Sequence, residues 1–485
     1  MLIGLGFTMI AVFMYLILSK RLTPVVALIL VPVVFGIAAV QFGAAVLPED
    51  GGVADTIMDA IKSFAPTAAL LFFAIIYFGL MIDVGLFDPL IRFILRVVGN
   101  SPTRLVIGTA VLAGMVSLDG DGSTTFIITV SALLPIYLRL GMSPVVLTAV
   151  ACLANGVLNI VPWGGPTVRA ATVLKVSPND LFIPMVPGMI AALVTVFVLA
   201  YLMGRSEKKR LQASGRTLET VAASLGSYRG AGGSGGGGGG SGVLPTRPGG
   251  SAGSGADLEL DYQEDNSDMA SGLDPHRKTL RPKLIWFNLG MTVSLLVMLG
   301  LDEFPLALLF MIAAAIGLVV NFPNPHDQSE RVKAHASSIV AVVAMVFAAA
   351  VLVGVLEGTG MVTAMADAIV DVVPPGLGPW FAVITGLLSM PFTFFMSNDA
   401  FYFGVLPILS EAAGQYGISP VEMAQASIVG QPVHLTSPLV PAMLLLISLA
   451  RVDLADFHKK VIWRAVVCSL VMLLVAVLLG VIPTG

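Results

Sequence analysis

The chain has 485 residues, of which 56% are hydrophobic and only 12% are charged, and its formal net charge is -4. Soluble domains carry about 25% charged residues, so this composition excludes a water-soluble globular protein and indicates one embedded in lipid. The two cysteines, Cys152 and Cys468, lie in apolar segments. They are too few for a disulfide framework or a thiolate metal site.

Apolar segments recur along almost the whole chain. The runs 10–18, 25–40 and 463–482 approach or exceed the roughly 20 residues that cross a hydrocarbon core. The first run lacks a basic start and a cleavage pattern, so we expect a retained helix and not a signal peptide. Loops rich in Lys and Arg alternate with acidic or neutral loops, which predicts about ten crossings with both termini outside the cytoplasm.

One long segment interrupts the apolar pattern. Residues 205–282 are polar and include a glycine and serine run at 233–242, a composition that buries too little apolar surface to fold. The sequence therefore predicts a first membrane half at 1–204, a flexible cytoplasmic linker at 205–282 and a second membrane half at 283–485. The acidic stretch 257–274 leaves open a role in binding a regulator.

The two halves resemble each other in sequence. The tripeptide Ser-Pro-Val at 143–145 recurs at 419–421, and the same offset pairs Asn155 with Gln431. Charge placement gives equivalent segments opposite directions across the membrane. These features predict an inverted-topology repeat, an architecture in which secondary transporters place a substrate site at the mid-membrane interface of the repeats.

Each half carries a polar interruption between two short apolar arms. The interruptions lie at 118–125 and at 396–399. Polar backbone cannot face lipid, and arms of roughly 14 residues are too short for two full spans. Each interruption is therefore predicted to be the tip of a re-entrant hairpin inside the protein.

Each half also carries a second interruption, which contains proline and is at 155–167 in the first half and 431–438 in the second. Such segments predict broken helices, whose half-helix N-termini attract anions and whose free carbonyls coordinate cations. The complete fold prediction is all-α: a polytopic membrane protein with an inverted-topology repeat, two re-entrant hairpins and two broken helices, which together cradle a charged ligand.

The polar residues of these four interruptions form the candidate site. The residues predicted to bind substrate are Ser123, Thr124, Asn155, Asn159, Thr167, Arg169, Ser397, Asn398, Gln431, Thr436 and Ser437. Ionisable residues at membrane depth indicate ion or proton pathways. The residues predicted to bind a metal ion or a proton are accordingly Asp119, Asp121, Asp399 and His434.

Each assignment has a structural alternative. The aspartates could cap helices, His434 could be a hydrogen-bonded packing residue, and Arg169 could extend to an interface instead of contacting a substrate carboxylate. The amides and hydroxyls could simply satisfy broken backbone. Asp83, Asp88 and Glu357 lie near predicted membrane edges, where we expect solvated side chains.

Motifs of other protein classes are absent from the sequence. It contains no phosphate-binding P-loop, no His-Glu-x-x-His motif and no plausible pair of nucleophile and base. The sequence therefore predicts neither ATP-driven pumping nor an enzyme, and nothing in it indicates binding to nucleic acid.

At the interruptions the chain resembles the citrate and divalent-metal:proton symporter family, CitMHS, of the ion transporter superfamily. The most specific stretches are 13–24, 117–125, 161–167 and 396–404, and the match covers nearly everything except the glycine-rich linker. The resemblance implies a proton-driven importer of citrate complexed with a divalent or trivalent metal ion, and no permanently bound cofactor. It also implies a multi-pass protein of the bacterial inner membrane, surrounded by lipid and forming a homodimer.

The wider superfamily includes sodium-coupled dicarboxylate carriers, which are similar in their inverted repeats and elevator-like movement but carry Ser-Asn-Thr motifs at the tips. Here the first tip reads Asp-Gly-Ser-Thr-Thr and the second Ser-Asn-Asp, which favours protons or a metal over sodium. A metal ion also neutralises much of the charge on citrate and makes it easier to desolvate. A sodium-coupled dicarboxylate symporter, a sodium/proton antiporter, an arsenite exporter, and a channel or membrane receptor remain the alternatives.

Overall fold

The computed structural model describes residues 1–19, 21–45, 52–98, 101–120, 122–213, 277–301 and 303–484. Within these ranges the protein is built from helices and has no strand. Eight of the described helices are long and apolar enough to cross a membrane. The predicted class, an all-α polytopic membrane protein, is therefore confirmed.

The helices of the first half are α1 (Leu2–Leu18), α2 (Pro24–Gln41), α3 (Val53–Asp83), α4 (Asp88–Val98), α5 (Pro102–Val116), α6 (Gly122–Arg139), α7 (Pro144–Leu158), α8 (Gly165–Val173) and α9 (Pro178–Ala213). A 3-10 turn at Ser117–Asp119 precedes α6. Because α9 continues to Ala213, it extends beyond the predicted end of the first half. The greater part of the predicted linker, 214–276, lies outside the described residues.

The helices of the second half are α10 (Ile285–Leu301), α11 (Leu306–Asn321), α12 (Pro325–Ala334), α13 (Ala336–Gly358), α14 (Met361–Val372), α15 (Phe381–Phe395), α16 (Leu406–Gly414), α17 (Pro420–Ile428), α18 (Gln431–His434), α19 (Pro441–Ala450) and α20 (Leu454–Leu478). A π-helix at Ala400–Val405 leads into α16. Such local π geometry is frequent at functional sites.

Equivalent helices in the two halves share the same kinds of residue and backbone conformation at their ends. α7 and α17 follow Ser143 and Ser419, both in extended backbone, and each helix starts with a proline. Proline suits this position because the first backbone N–H of a helix has no intrahelical partner. Two non-glycine residues with positive φ follow α8 and α19, namely Lys175 at 54° and Arg451 at 52°. These two lie at the same sequence separation as the two serines, so the repeat extends to rare backbone conformations.

The helix packing obeys the same internal symmetry. The repeat-equivalent helices α3 and α13 pack against each other, α2 packs on α13, and α11 packs on α3. Gly354 permits the close approach of α13 to α3, since a Cβ there would lie 2.6 Å from the Ile57 Cα. On the other side of the molecule α9 packs on α20, α7 on α20 and α17 on α9.

The two broken helices cross at the centre of the molecule. Gly156 in α7 and Pro432 in α18 occupy equivalent positions in the repeat, and a Cβ on Gly156 would lie 2.8 Å from the Pro432 Cα. Nearby, the Cys152 thiol donates to the Leu435 carbonyl oxygen at 3.3 Å. Contact between equivalent residues identifies this crossing as the position of the pseudo-two-fold axis.

Charged contacts between distant segments lie at both ends of the long helices α3 and α13. At the predicted cytoplasmic end, Arg331 lies 3.4 Å from Asp83, whereas at the opposite end Lys175 lies 2.6 Å from Glu357. The Glu357 side chain is 42% exposed, as a solvated membrane edge requires. The Asp83 side chain is only 13% exposed, so the same expectation is wrong there. Asp83 ends α3, and its carboxylate lies 3.4 Å from Arg331 of α12 and 3.2 Å from His335, the residue after α12.

Candidate substrate site

The chain reverses direction between α5 and α6, and again between α15 and α16, as the two predicted hairpins require. At the first tip Thr125 is fully buried and residues 122–124 are half-buried, and at the second tip residues 396–399 are half-buried. Protein groups therefore cover a large part of both polar interruptions, as their polar backbone requires.

The first tip is held by the broken helix of its own half. The Asn155 Nδ2 donates to the Ser117 Oγ at 2.9 Å and lies 3.5 Å from the Thr125 Oγ1. The Trp163 Nε1 donates to the Leu118 carbonyl oxygen at 2.8 Å. Within the described part of the chain the buried Asn155 Oδ1 has no hydrogen-bond partner. Asn155 is fully buried and does not line the cavity described below, so this oxygen is an unsatisfied acceptor inside the packed tip.

The second tip is held in the corresponding way. The Gln431 Nε2 donates to the Asn398 Oδ1 at 3.1 Å, and the Asn398 Nδ2 donates to the Gln431 Oε1 at 3.3 Å. The Gln431 Nε2 also donates to the Tyr402 hydroxyl at 2.9 Å. Since Gln431 and Asn155 are equivalent in the repeat, one amide in each broken helix binds the hairpin of its own half.

Two predicted hydroxyl residues satisfy the backbone of the breaks. The Thr167 Oγ1 donates to the Ile160 carbonyl oxygen and the Thr436 Oγ1 donates to the Val433 carbonyl oxygen, both at 2.7 Å. The Val433 carbonyl oxygen also accepts from the Thr436 backbone N–H at 3.0 Å, so the hydroxyl adds a second hydrogen bond to it. Each threonine therefore stabilises the shape of its break, and its hydroxyl lone pairs stay available as acceptors.

Two further predicted residues join the second break to the end of α15. The Ser437 Oγ donates to the Phe394 carbonyl oxygen at 2.5 Å, and the His434 Nδ1 lies 2.6 Å from the Thr393 carbonyl oxygen. Because a carbonyl oxygen only accepts, Nδ1 carries the proton in this bond. His434 is 6% exposed, so its ring is held inside the protein with Nε2 as the remaining acceptor.

The remaining predicted residues lie at or beside the tips. The Ser397 Oγ accepts from the Ala400 backbone N–H at 3.2 Å. Ser123 is half-buried in the first turn of α6, and Asn159 is 9% exposed just after α7. Asp121 lies outside the described residues, so the prediction for it rests on the sequence alone.

An ion pair links the two halves. The Arg169 Nε in α8 donates to the Asp399 Oδ1 at the second tip at 2.6 Å, and the two side chains are 22% and 14% exposed. The pair joins two residues that the sequence places in different roles, a substrate contact and a metal or proton site. A largely desolvated pair of this kind is sensitive to removal of either partner.

A cavity of about 590 Å³ lies beside this pair, between the long helices α3 and α13 on one side and the first tip and α8 on the other. Its size is within the range of about 300–1,000 Å³ that is typical of small-molecule sites. At one end it is lined by Asp119, Thr124, Trp163 and Arg169, and at the predicted cytoplasmic end by Arg331, Lys333 and His335. The structure therefore brings three of the predicted residues, Asp119, Thr124 and Arg169, to one cavity.

Trp163 is a cavity residue that sequence reasoning did not select. Its ring stacks on Phe78 of α3 with centroids 5.7 Å apart and contacts Phe310 of α11 edge-on at 5.5 Å. Trp163 thus connects the first break to helices on the opposite side of the cavity. The available signal was a tryptophan inside a segment of proline and glycine, where no apolar helix face calls for it.

Internally repeated hairpins and broken helices beside a cavity lined by charged and apolar side chains are typical of the class of secondary transporters. A solved structure with this fold is MtrF of Neisseria gonorrhoeae, which belongs to a class of antimetabolite efflux pumps. Its TM-score is 0.52 at 12% identity, over 98% of this chain and 94% of that one.

The family model for citrate transporters, CitMHS, matches residues 7–430, and the chain belongs to this family. It is 45% identical to the citrate transporter of Bacillus subtilis (strain 168) over 99% of this chain and 100% of that protein. It is 42% identical to the Mg(2+)/citrate complex secondary transporter of the same organism, over 99% of each chain. The protein is therefore a transporter and not an enzyme, and it is a multi-pass protein of the bacterial inner membrane.

Proposed function

We propose that this protein imports citrate as its complex with a metal ion and couples this import to protons. The observation that carries the proposal is the 42% identity, over 99% of both chains, to a relative named for transport of a Mg(2+)/citrate complex. The ion pair and cavity support it, because a metal complex of citrate presents both a cation and uncoordinated carboxylate oxygens. A site that holds an arginine and an aspartate side by side matches both poles.

In this proposal the predicted site residues, of which Asp119, Thr124 and Arg169 line the cavity, divide by chemistry. Arg169 binds a citrate carboxylate, since guanidinium groups match carboxylates in geometry and charge. Uncharged contacts come from the hydroxyls and amides of the tips and breaks, which are Ser123, Thr124, Asn155, Asn159, Thr167, Ser397, Asn398, Gln431, Thr436 and Ser437. Asp119, Asp121, Asp399 and His434 supply the metal contact or carry the coupled protons. We further propose that the transporter works as a homodimer.

We expect citrate uptake to require both a polyvalent metal ion and a proton gradient. Purified protein would be reconstituted in proteoliposomes, and radiolabelled citrate would be added on one side of the membrane. Uptake would be measured with and without excess chelator, and with and without an imposed pH gradient. Accumulation should collapse when the metal is chelated or when a protonophore dissipates the gradient. Equal uptake after complete chelation would contradict the metal-complex proposal, and uptake insensitive to the protonophore but dependent on Na⁺ would contradict proton coupling.

Gly165 offers a way to displace Arg169 without changing its charge. A Cβ at Gly165 would lie 2.7 Å from the Arg169 Nη1, which is the end of a flexible side chain. In Gly165→Ala the guanidinium must move away while the backbone stays in place. We expect apparent affinity for citrate to fall by about tenfold, the equivalent of roughly 1.4 kcal/mol or one charge-assisted hydrogen bond.

The measurement is the concentration dependence of citrate uptake at fixed metal concentration. Gly300→Ala is the matched control, because no atom lies within 4 Å of a Cβ at that position. An affinity of Gly165→Ala equal to that of the control would show that the position of Arg169 does not matter to binding.

A further inference from the structure

The Arg169–Asp399 pair restricts which ligands can bind at this end of the cavity. Arg169 lines the cavity, and its Nε already donates to Asp399 at 2.6 Å. The two side chains are 22% and 14% exposed, so water screens them only partly. A ligand that takes one partner leaves the other charge unpaired in these surroundings, which is strongly unfavourable.

The three ligands available to a metal-citrate transporter differ in how they meet this requirement. Free citrate offers carboxylates to Arg169, but it leaves Asp399 unpaired and adds negative charge beside it. A free metal ion satisfies Asp399 and leaves Arg169 unpaired next to a second cation. The complex brings a cation for Asp399 and an uncoordinated carboxylate for Arg169, so each charge of the pair exchanges one partner for another of the same sign.

The protein side of metal coordination is consistent with this exchange. Among the described residues no group of three or more His, Cys, Asp and Glu is placed to hold a metal ion. Mg²⁺ is usually bound through one or two protein carboxylates together with substrate oxygens and water, so a single contact from Asp399 suits a metal ion that citrate already coordinates.

We infer that the Arg169–Asp399 ion pair is the element that selects the metal-citrate complex over free citrate and over the free metal ion. On this inference, which rests on the proposed function, the complex opens the pair: its uncoordinated carboxylate binds Arg169 and its metal ion binds Asp399. The geometry supports the opening, because the second tip is held independently by the Asn398–Gln431 amide pair. The Asp399 carboxylate can then leave Arg169 while the tip backbone keeps its place.

The test measures binding, separately from uptake, for wild type and variants reconstituted in lipid nanodiscs. Radiolabelled citrate is titrated in excess chelator and again in saturating Mg²⁺, and Mg²⁺ alone is titrated by calorimetry. For wild type we expect the complex to bind at least about tenfold more tightly than free citrate. In Asp399→Asn, which leaves Arg169 without its anion, free citrate should bind more tightly and the complex more weakly, so that the preference is lost or reversed.

Three further variants separate the contributions of the two charges. Arg169→Gln should weaken both citrate forms, because it removes the carboxylate contact that they share. The double variant Arg169→Gln/Asp399→Asn leaves neither charge unpaired and should bind both forms weakly with equal affinity, so it still tests the inference if Asp399→Asn does not fold. Asp399→Glu keeps the carboxylate and should restore part of the preference.

The outcomes distinguish the inference from the proposed function. If Asp399→Asn keeps the wild-type ratio of affinities, or if Asp119→Asn reverses the preference in its place, the selection does not reside in this pair. The proposed function would then stand without the inference. If wild type binds neither form of citrate, both fail together.

Discussion

Asp399→Asn is expected to abolish uptake of metal-citrate while the protein still inserts into the membrane. The change is nearly isosteric, so it removes charge and titration and leaves most of the packing of the second tip unchanged. Arg169, only 22% exposed, then loses its anion. We expect uptake to fall by at least about 100-fold, because Asn can replace Asp399 neither as a partner of Arg169 nor as a metal or proton site.

Uptake would be measured in proteoliposomes that contain equal amounts of purified wild type and variant. Glu357→Gln is the matched control: its pair with Lys175 has the same 2.6 Å separation, but those side chains are 42% and 47% exposed. Exposed ion pairs contribute only about 0–1 kcal/mol, so this variant should transport normally. Wild-type uptake by Asp399→Asn would mean that the second tip has a purely structural role.

Comparison of binding with uptake assigns the role of the aspartate. Weaker binding of metal-citrate identifies a ligand, whereas intact binding with lost proton-driven accumulation identifies a proton site, since Asn cannot titrate. The sequence predicts the same loss for Asp121→Asn at the first tip. The same pair of measurements applies to it.

Gly156→Val is expected to destabilise the protein strongly. A single Cβ at Gly156 already lies 2.8 Å from the Pro432 Cα and 3.4 Å from its carbonyl oxygen, and backbone atoms cannot rotate away. The added methyl groups must separate the two broken helices at the pseudo-two-fold axis. We expect a loss of about 3 kcal/mol, the upper end of the usual range for overpacking in a core.

The measurement is thermal unfolding of the purified variant in detergent, together with its yield from the membrane. Gly290→Val is the matched control, because it introduces the same side chain on α10 at a position with no atom within 4 Å of the Cβ. An unfolding midpoint for Gly156→Val as high as that of the control would show that the crossing can widen at little cost.

Much of the fold is predictable from the sequence because its determinants are local. The proline that starts α7 and α17, the polar interruptions between short arms, and the offset that pairs Asn155 with Gln431 are all visible in one dimension. The structure adds a further equivalent pair, Lys175 and Arg451, which both have positive φ. The sequence does not indicate this pair, because a positive φ at a basic residue cannot be recognised from residue type.

The site is only partly predictable, because it depends on which residues of the two halves contact each other in the folded protein. The sequence selects Arg169 and Asp399 separately, one past the first break and one at the second tip, and nothing local indicates that they touch across 230 positions. Asp83 was misjudged for the same reason. It lies at the end of a long helix, where solvation is the usual outcome, and only the tertiary fold brings Arg331 of α12 and His335, the residue after α12, to its carboxylate.

In the proposed symport mechanism, the pairing of Arg169 with Asp399 also has a consequence for the step in which the empty carrier returns to bind its next substrate. A symporter accumulates substrate only if its unloaded site can change sides repeatedly. Moving one unpaired elementary charge across the membrane changes the free energy by about 2.3 kcal/mol for each 100 mV of membrane potential. Because Arg169 and Asp399 neutralise each other when no ligand separates them, their movement transfers no net charge. For these two residues the return step is therefore independent of voltage.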